Sequence, residues 1–293
     1  MKPVLAAVLL ALIAPAWADF NRTTLLMDTP TADVMPAGAL AIAPNVTFSL
    51  VDSPRDPGWE GGSSVRVAPL KGLEVALTAY TPRDYVLGLT YQLVSGRFDR
   101  VGLLKLFHVL DPWKTRQAVE TAQHLSLAFG VYDVGTHGHV SPIGRDTVAW
   151  SDWQYYSNDG SKYIRPLENL SAFVVTSIPI TGSARVSVGL GRGRFVGYDG
   201  INDYLNTDVF FDDYHQWTFG LFGGFELYVT PEIALCVEAN SRDANAGIKG
   251  FYGPVSVQVS VCKLEGLIHS GEERFGRLAI DVGWQFENLF GRN

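Results

Sequence analysis

The sequence predicts an all-β protein, a single antiparallel β-barrel that spans a membrane with about twelve strands. Three observations support this prediction. Apolar and polar residues alternate with a period of two along most of the chain. The first residues have the features of a secretory signal. Short and long connections alternate between the predicted strands of the C-terminal half, which is typical of bacterial transmembrane barrels.

The composition narrows the class of protein further. Of the 293 residues, 47% are hydrophobic and only 18% are charged, and the formal net charge is −7. A chain this apolar is not intrinsically disordered, and an acidic chain is not expected to bind nucleic acid. The thirty Gly, twelve Tyr and sixteen Phe favour strands joined by tight turns.

Residues 1–18 are predicted to be a signal peptide. Lys2 supplies a positive charge, residues 4–14 are apolar, and Ala16-Trp17-Ala18 has the small-x-small pattern of a cleavage site. The apolar run is too short to span a bilayer as a helix; the alternative is a buried N-terminal helix. We expect cleavage near Ala18, a periplasmic N-terminal segment over 19–38, and an outer-membrane barrel over 39–293.

Thirteen segments of the sequence have the character of a β-strand, which is an odd number. A bacterial barrel has an even number of strands, so one of thirteen segments is not a strand. The weakest are 63–69, which ends at Pro69, and 101–110, which Lys105 interrupts. We expect twelve strands, with fourteen as the alternative. The thirteen segments are 39–48, 63–69, 72–80, 85–94, 101–110, 122–133, 169–180, 184–196, 216–229, 232–241, 246–252, 255–267 and 277–288.

The alternation also assigns the faces of the strands. In a membrane barrel the apolar face contacts lipid and the polar face lines the lumen. A soluble periplasmic β-sandwich would instead bury the apolar face against a second sheet. Strands longer than the usual five or six residues favour the barrel. The side chains expected to line the lumen are Arg66, Glu74, Arg185, Glu226, Glu238, Lys249, Asp281 and Glu287.

Aromatic residues near the strand ends are a further sign of a membrane barrel, because they form girdles at the two interfaces. The candidates are Tyr80, Tyr85, Tyr91, Trp217, Tyr228, Tyr252 and Trp284. Continuing the alternation of segment 184–196 places Arg192 and Arg194 on the lipid face. The alternatives are a position above the membrane or a glycine bulge that changes the register.

The two cysteines, Cys236 and Cys262, are expected to be free thiols. Both are predicted to point into the lumen, two strands apart, or about 9–10 Å at the usual strand spacing. That separation is too large for an undistorted disulfide.

No motif of an enzyme or of a metal site stands out. The Gly-x-Ser-x-Gly, Cys-x-x-Cys and His-Glu-x-x-His patterns are absent. His124 beside Ser126 is a weak candidate for a hydrolase pair. His137 and His139 near Asp133 are a weak candidate for a metal site. We therefore expect no enzymatic activity, no cofactor and no metal.

Two predicted loops have unusual compositions. The loop 146–168 combines aromatic rings with carboxylates, a combination that suits sugar binding. The loop 198–213 is rich in Asp and Asn, which could bridge to lipopolysaccharide through divalent cations or simply be solvated. The aromatic side chains that we expect to contact glycans are Trp150, Trp153, Tyr155, Tyr156 and Tyr163.

Several motifs resemble those of YjbH-like outer-membrane proteins, a family associated with exopolysaccharides. The pattern is a Gly-Gly-x-Glu strand over 222–228, a turn, an acidic strand and Asn245-Ala246-Gly247-Ile248. Residues 27–38 and 129–135 also fit the family. The resemblance implies an outer-membrane barrel linked to exopolysaccharide production or export, and it brings no enzymatic residues.

The expected function is a non-enzymatic outer-membrane barrel, acting as a narrow channel or as a component of surface polysaccharide export. The alternatives are a structural or glycan-binding surface barrel and a barrel-embedded lipid hydrolase. The expected partners are outer-membrane lipid, lipopolysaccharide and, from the resemblance, polysaccharide-export proteins.

Overall fold

The structure is a computed structural model that describes most of the predicted strands. The described residues are 25–50, 59–103, 124–135, 154–156, 162–164, 171–196, 205–210, 219–241, 243–268 and 276–287, apart from residues 28, 82–83, 97, 99, 101 and 206. The predicted signal peptide lies outside them.

Twelve antiparallel strands form a closed ring, which confirms the predicted fold class and strand number. Each strand pairs with the next along the chain, and β12 pairs with β1 to close the ring. The strands are β1 (Leu40–Ser49), β2 (Trp59–Leu70), β3 (Leu73–Thr81), β4 (Asp84–Val94), β5 (Ser126–Gly135), β6 (Ser171–Thr181), β7 (Ala184–Gly191), β8 (Phe219–Thr230), β9 (Ile233–Ala239), β10 (Ala244–Tyr252), β11 (Val255–Cys262) and β12 (Arg277–Phe286).

A few short elements lie outside the ring. Asp208–Phe210 pairs with the outer end of β8, and Gln154–Tyr156 pairs with Lys162–Ile164 in a separate hairpin. A 3-10 turn spans Gly193–Phe195, and a one-turn helix, α1, spans Glu265–Ile268. Within the described residues, no helix combines the length and the apolar character needed to cross a membrane.

Three of the thirteen predicted segments differ clearly from the structure, and one of them is 255–267, whose strand ends at Cys262. The segment 101–110 is not a barrel strand, because β4 pairs directly with β5; residues 104–110 lie outside the described residues. The segment 184–196 is shorter than predicted, since its strand ends at Gly191. By contrast, the weak segment 63–69 belongs to a twelve-residue strand, β2.

The two ends of the barrel differ. Four tight turns, at 71–72, 182–183, 231–232 and 253–254, share one end with the start of β1 and the end of β12; we call it the short-turn end. Gly72 and Gly253 have φ angles of 79° and 54°, which favour glycine. The opposite, long-loop end carries most of the longer connections, although residues 95–125 join β4 to β5 at the short-turn end.

The alternation along the strands gives the wall an apolar outer face. In β9, Ile233, Leu235 and Val237 are 43%, 42% and 51% exposed, while Cys236 and Glu238 point inward and are buried. The outward face is therefore an apolar surface of the kind that contacts lipid in membrane barrels.

The predicted aromatic girdle is only partly on this outer face. Tyr85, Tyr91 and Tyr252 are exposed there. Tyr228 does not belong to the girdle, because the alternation of β8 turns it into the lumen, where it is 1% exposed. The structure describes Trp284 as half-buried; Trp217 and the side chain of Tyr80 lie outside the described residues.

Candidate functional site in the barrel lumen

The lumen contains a segment of the chain that precedes the first strand. We call residues 25–35 the luminal segment; within it Leu26, Thr29 and Ala32 are fully buried and Val34 is 1% exposed. Its polar atoms bond to inward-facing side chains of β3 to β10. Sequence analysis expected residues 19–38 to form a periplasmic segment, whereas residues 25–35 lie inside the ring.

Glu238 on β9 is the main anchor for the first part of this segment. Its Oε2 accepts hydrogen bonds from the backbone N–H groups of Met27 and Thr29, at 2.8 and 3.1 Å, and from the Thr29 hydroxyl group at 2.9 Å. Its Oε1 accepts a bond of 2.7 Å from the Asn245 amide. An irregular segment lacks ladder partners for its backbone, and the buried carboxylate supplies acceptors in their place.

Arg185 on β7 holds the middle of the segment. Its guanidinium group forms ion pairs with Asp33 of the luminal segment and with Glu226 of β8, and all three side chains are buried. Ser126 Oγ donates to Asp33 Oδ1 at 2.9 Å, and the Tyr228 hydroxyl lies 3.4 Å from Glu226 Oε1. These donors compensate the second carboxylate, since one arginine balances only one of the two charges.

Four further bonds fix the path of the segment. The Ala32 N–H donates to Ser177 Oγ at 2.9 Å, and the Met35 N–H donates to Glu74 Oε2 at 3.1 Å. Gln92 Nε2 donates to the Ala32 carbonyl at 2.7 Å. Lys249 Nζ donates to the Leu25 carbonyl at 2.6 Å. The bonds come from strands around much of the ring, so the segment crosses the lumen rather than following one strand.

An aromatic cluster fills the lumen beside the segment, toward the long-loop end. Phe195 stacks on Phe222 with ring centroids 4.2 Å apart, and Phe173 packs edge-on against both rings. Gly189 leaves room for Phe222, because a Cβ atom there would lie 2.1 Å from that ring. Ala32 of the luminal segment packs into the same cluster.

Gly96, Phe98 and Arg100 lie in the lumen at the short-turn end. The Gly96 N–H donates to Ser126 Oγ of β5 at 3.1 Å. Phe98 packs on Tyr228 at 5.5 Å between ring centroids. The Arg100 guanidinium carbon lies 4.6 Å from the ring centroid of Phe251. These contacts carry the chain from β5 across to β8 and β10 beneath the luminal segment.

The remaining part of the lumen is a cavity of about 370 Å³. It follows β10, β11, β12, β1, β2 and β3, whose inward side chains are mostly small or polar. Its wall includes Ala41, Ala43, Asn45, Ser64, Ala76, Thr78, Ser256, Gln258, Ser260, Ala279, Asp281 and Gly283.

The structure places the predicted lumen residues in different surroundings. Five of them are buried and contact either the luminal segment or Arg185, which binds that segment. They are Glu74, Arg185, Glu226, Glu238 and Lys249. Arg66 and Asp281 line the cavity, as does Lys249. Glu287 directly follows β12 and is partly exposed. Sequence reasoning missed Asp33 and Gln92 as luminal residues, although the alternation of β4 would have placed Gln92 inside.

Arg194 is not on the lipid face. The strand ends at Gly191, and the 3-10 turn that follows directs Arg194 Nη1 to within 3.5 Å of Asp133 Oδ1. Arg194 lines the cavity near its long-loop end. The cysteines are free thiols, as predicted, with Cys236 buried.

The weak catalytic and metal candidates gain no support. The Ser126 hydroxyl is bonded to Asp33 and to the Gly96 N–H, while His124 is exposed. His137 and His139 lie outside the described residues. In the part of the chain that the structure describes, no group of three His, Cys, Asp or Glu side chains is placed to hold a metal ion.

The predicted glycan-contacting residues remain a prediction. Trp150 and Trp153 lie outside the described residues. Tyr155, Tyr156 and Tyr163 belong to the short hairpin, of which only the backbone is described.

Comparison with known proteins gives matches in structure only. No family model matches the chain, and no curated protein matches it. The structure is similar to the KdgM porin in complex with disordered oligogalacturonate, with 8% identity, a TM-score of 0.40, and coverage of 85% of this chain and 99% of that one.

Two other outer-membrane channels or barrels give similar values. The Acinetobacter baumannii outer membrane protein Omp33 has 9% identity and a TM-score of 0.36, with coverage of 84% of this chain and 97% of that one. The CymD monoaromatic hydrocarbon channel has 8% identity and a TM-score of 0.36, with coverage of 86% and 90%. None of these is a YjbH-like protein, so that resemblance stays a prediction.

Proposed function

We propose that the protein is a non-enzymatic outer-membrane channel through which small solutes pass beside the luminal segment. The cavity carries this proposal. It is lined by Asn240 and Lys263 toward the long-loop end and by Ala41 and Gln285 toward the short-turn end. A continuous lining of small and polar side chains over this height suits the passage of hydrated solutes.

The wall of the barrel suits a membrane. A closed ring pairs the backbone groups of all twelve strands, which is what a lipid environment requires of a β structure. The exposed apolar side chains of β9 and of the other strands face outward, where lipid would contact them. In an outer membrane the short-turn end faces the periplasm.

The contents of the lumen favour a narrow channel over export of a polymer. The luminal segment and the aromatic cluster occupy one side of the lumen, and Gly96 and Phe98 lie at its short-turn end. The volume that is left suits a small solute. The link to exopolysaccharide export and its partners rests on the family resemblance alone and stays a prediction.

The test is conductance of the purified protein in planar lipid bilayers. We expect small, discrete current steps from protein recovered in the outer-membrane fraction, with gel mobility that changes on boiling. The control is the same preparation after boiling, which should give no steps. Absence of current steps from natively folded protein, together with recovery in the soluble periplasm, would exclude the channel.

A further inference from the structure

We infer that the channel prefers anions and that Arg66 and Arg194 set this preference. The inference rests on the proposed function, since it concerns the same cavity. Both arginines line the cavity, and each is paired with a carboxylate. In both pairs the arginine is the more exposed member: the side chain of Arg66 is 18% exposed against 4% for Glu74, and that of Arg194 is 25% exposed against 4% for Asp133.

The two carboxylates are turned toward the protein. Glu74 Oε2 accepts the Met35 N–H at 3.1 Å, and Asp133 Oδ2 accepts the Ser171 hydroxyl group at 2.7 Å. Their contacts with the arginines are longer, at 3.9 and 3.5 Å. A solute in the cavity therefore meets guanidinium groups while the opposing charges lie behind them in the wall.

Lys249 extends this positive surface toward the short-turn end, and a buried arginine, Arg100, lies close to the lining there. Lys249 donates its Nζ to a neutral carbonyl group, that of Leu25, so that contact leaves its charge uncompensated. Arg100 lies over Phe251, a ring that also lines the cavity. Among the described residues, Nε and Nη2 of Arg100 have no hydrogen-bond partner.

Acidic groups in the cavity offset the positive charge of these basic groups only in part. Asp281 accepts a hydrogen bond from Gln258 Nε2 at 3.1 Å and is partly exposed. Asp243 lies at the long-loop rim beside Glu265. The lining contains four basic residues, Arg66, Arg194, Lys249 and Lys263, against three acidic ones, of which Asp133 is buried. The formal net charge of the residues that line the cavity is therefore positive.

The chemistry indicates the class of solute. Guanidinium groups bind oxyanions such as carboxylate and phosphate through paired N–H donors, and rings of Arg or Lys select anions in other pores. Both guanidinium groups line one cavity, together with Tyr132 and Asp133, so they act on the same space. We therefore assign small carboxylate and phosphate anions as the preferred solutes.

The experiment is the reversal potential of single channels of the full protein in a tenfold KCl gradient. We expect chloride to permeate about sevenfold more readily than potassium, because one unit charge about 7 Å away in a water-like medium attracts the anion and repels the cation by about RT each. Arg66→Gln and Arg194→Gln should each lower this ratio, and the double variant should bring it near one. Replacing chloride by inorganic phosphate should leave measurable anion current in the wild type.

Matched variants separate the effect from general damage. Lys71→Gln makes the same charge change in the exposed β2–β3 turn and should leave the ratio unchanged. Asp281→Asn should raise it, and Arg66→Lys, which keeps the charge, should keep the wild-type ratio.

The wild-type ratio is decisive by itself, even where a variant does not fold. A conducting channel that prefers potassium, or that shows no preference, overturns the inference while the channel stands. A folded wild-type protein with no current overturns both.

Discussion

The two halves of the barrel have the same antiparallel strand pairing, but their inward-facing side chains differ. The wall from β4 to β9 is covered by the luminal segment, the aromatic cluster and the Asp33–Arg185–Glu226 ion pairs. The wall formed by β10 to β12 and β1 to β3 borders the cavity. The first half carries large rings and buried charges, and the second carries mainly Ala, Ser, Thr and Gly side chains. We call them the packed half and the open half.

The difference shows what an irregular segment needs inside a barrel. Its backbone N–H groups have no ladder partners, so they require acceptors from the wall. The packed half supplies Glu238 and Ser177, and the neighbouring strand β3 of the open half supplies Glu74. The inward side chains of the open half are small and leave space. The choice of inward side chains, and not the strand pairing, therefore decides which part of the lumen is filled.

The largest expected effect comes from breaking the ion pairs of the packed half. Arg185→Met leaves Asp33 and Glu226 as two buried carboxylates without their shared cation. Removing one partner from a buried ionic network costs about 3–5 kcal/mol. We expect the free energy of unfolding to fall by this amount, measured by denaturant titration of the refolded protein with gel mobility as the readout.

A neutral version of the same site is the control for that experiment. The triple variant with Arg185→Met, Asp33→Asn and Glu226→Gln removes all three charges together and should recover most of the lost stability. If Arg185→Met alone were as stable as the wild type, the ion pairs would not stabilise the packed half.

The second effect concerns release of the luminal segment. Glu238→Gln keeps the shape of the anchor but loses the charge of three hydrogen bonds, and bonds to charged groups are each worth about 1 kcal/mol more than neutral ones. The background carries Cys236→Ala and Cys262→Ser, and Thr29→Cys supplies the probe, which itself removes the Thr29 hydroxyl bond. The two backbone bonds that remain are weakened by about 2 kcal/mol in total, so the probe should react with a maleimide about thirtyfold faster in this variant.

The matched control is Glu232→Gln, which makes the same charge change at an exposed position in the β8–β9 turn. It should leave the labelling rate unchanged. Equal rates in both variants would mean that Glu238 does not anchor the segment.

The third effect tests whether the cavity of the open half is the path of conduction. Ala43→Trp places an indole in the cavity and should lower single-channel conductance to about half or less, because a narrower path conducts less. Its neighbour Ile42 is 40% exposed on the outer face, so Ile42→Trp should leave the conductance unchanged. Equal conductance in both variants would place the path elsewhere.

The smallest effect lies at the long-loop rim of the open half. Burial raises the pKa of Glu265 above its ordinary value, although the Ala244 N–H donates to its Oε2 at 3.0 Å. The folded state thus favours the protonated form, and this stabilisation is present at low pH and lost as the pH rises through the raised pKa. Glu265→Gln should remove this part of the pH dependence in melting curves between about pH 4 and 8; an unchanged profile would contradict it.

Much of the barrel could be predicted, because strand alternation and tight turns depend on residues that are close in sequence. The alternation of β9 was sufficient to place Glu238 inside and Val237 outside, and the tight turns fixed the ends of the strands. The segment 101–110 was one of two weak candidates, because Lys105 interrupts its apolar run, and it is the one that does not form a barrel strand. Nothing in its sequence reveals that β4 and β5 pair without it.

The filling of the lumen could not be predicted in the same way. Residues 25–35 have no alternation, and their polar side chains suit an exposed segment equally well. Their position depends on partners far along the chain: Thr29 bonds to Glu238 across 209 residues and Asp33 to Arg185 across 152. Arg194 was misplaced for a related reason, since the strand ends three residues before it.

These separations also determine the order in which the protein can fold. The bonds that hold the luminal segment need side chains of β6, β7 and β9, so they cannot form until those strands are synthesised and paired. Contacts between distant parts of a chain form slowly. We therefore expect the lumen to become ordered last: the wall forms first, and the cavity takes its final shape only when residues 25–35 are held inside the ring.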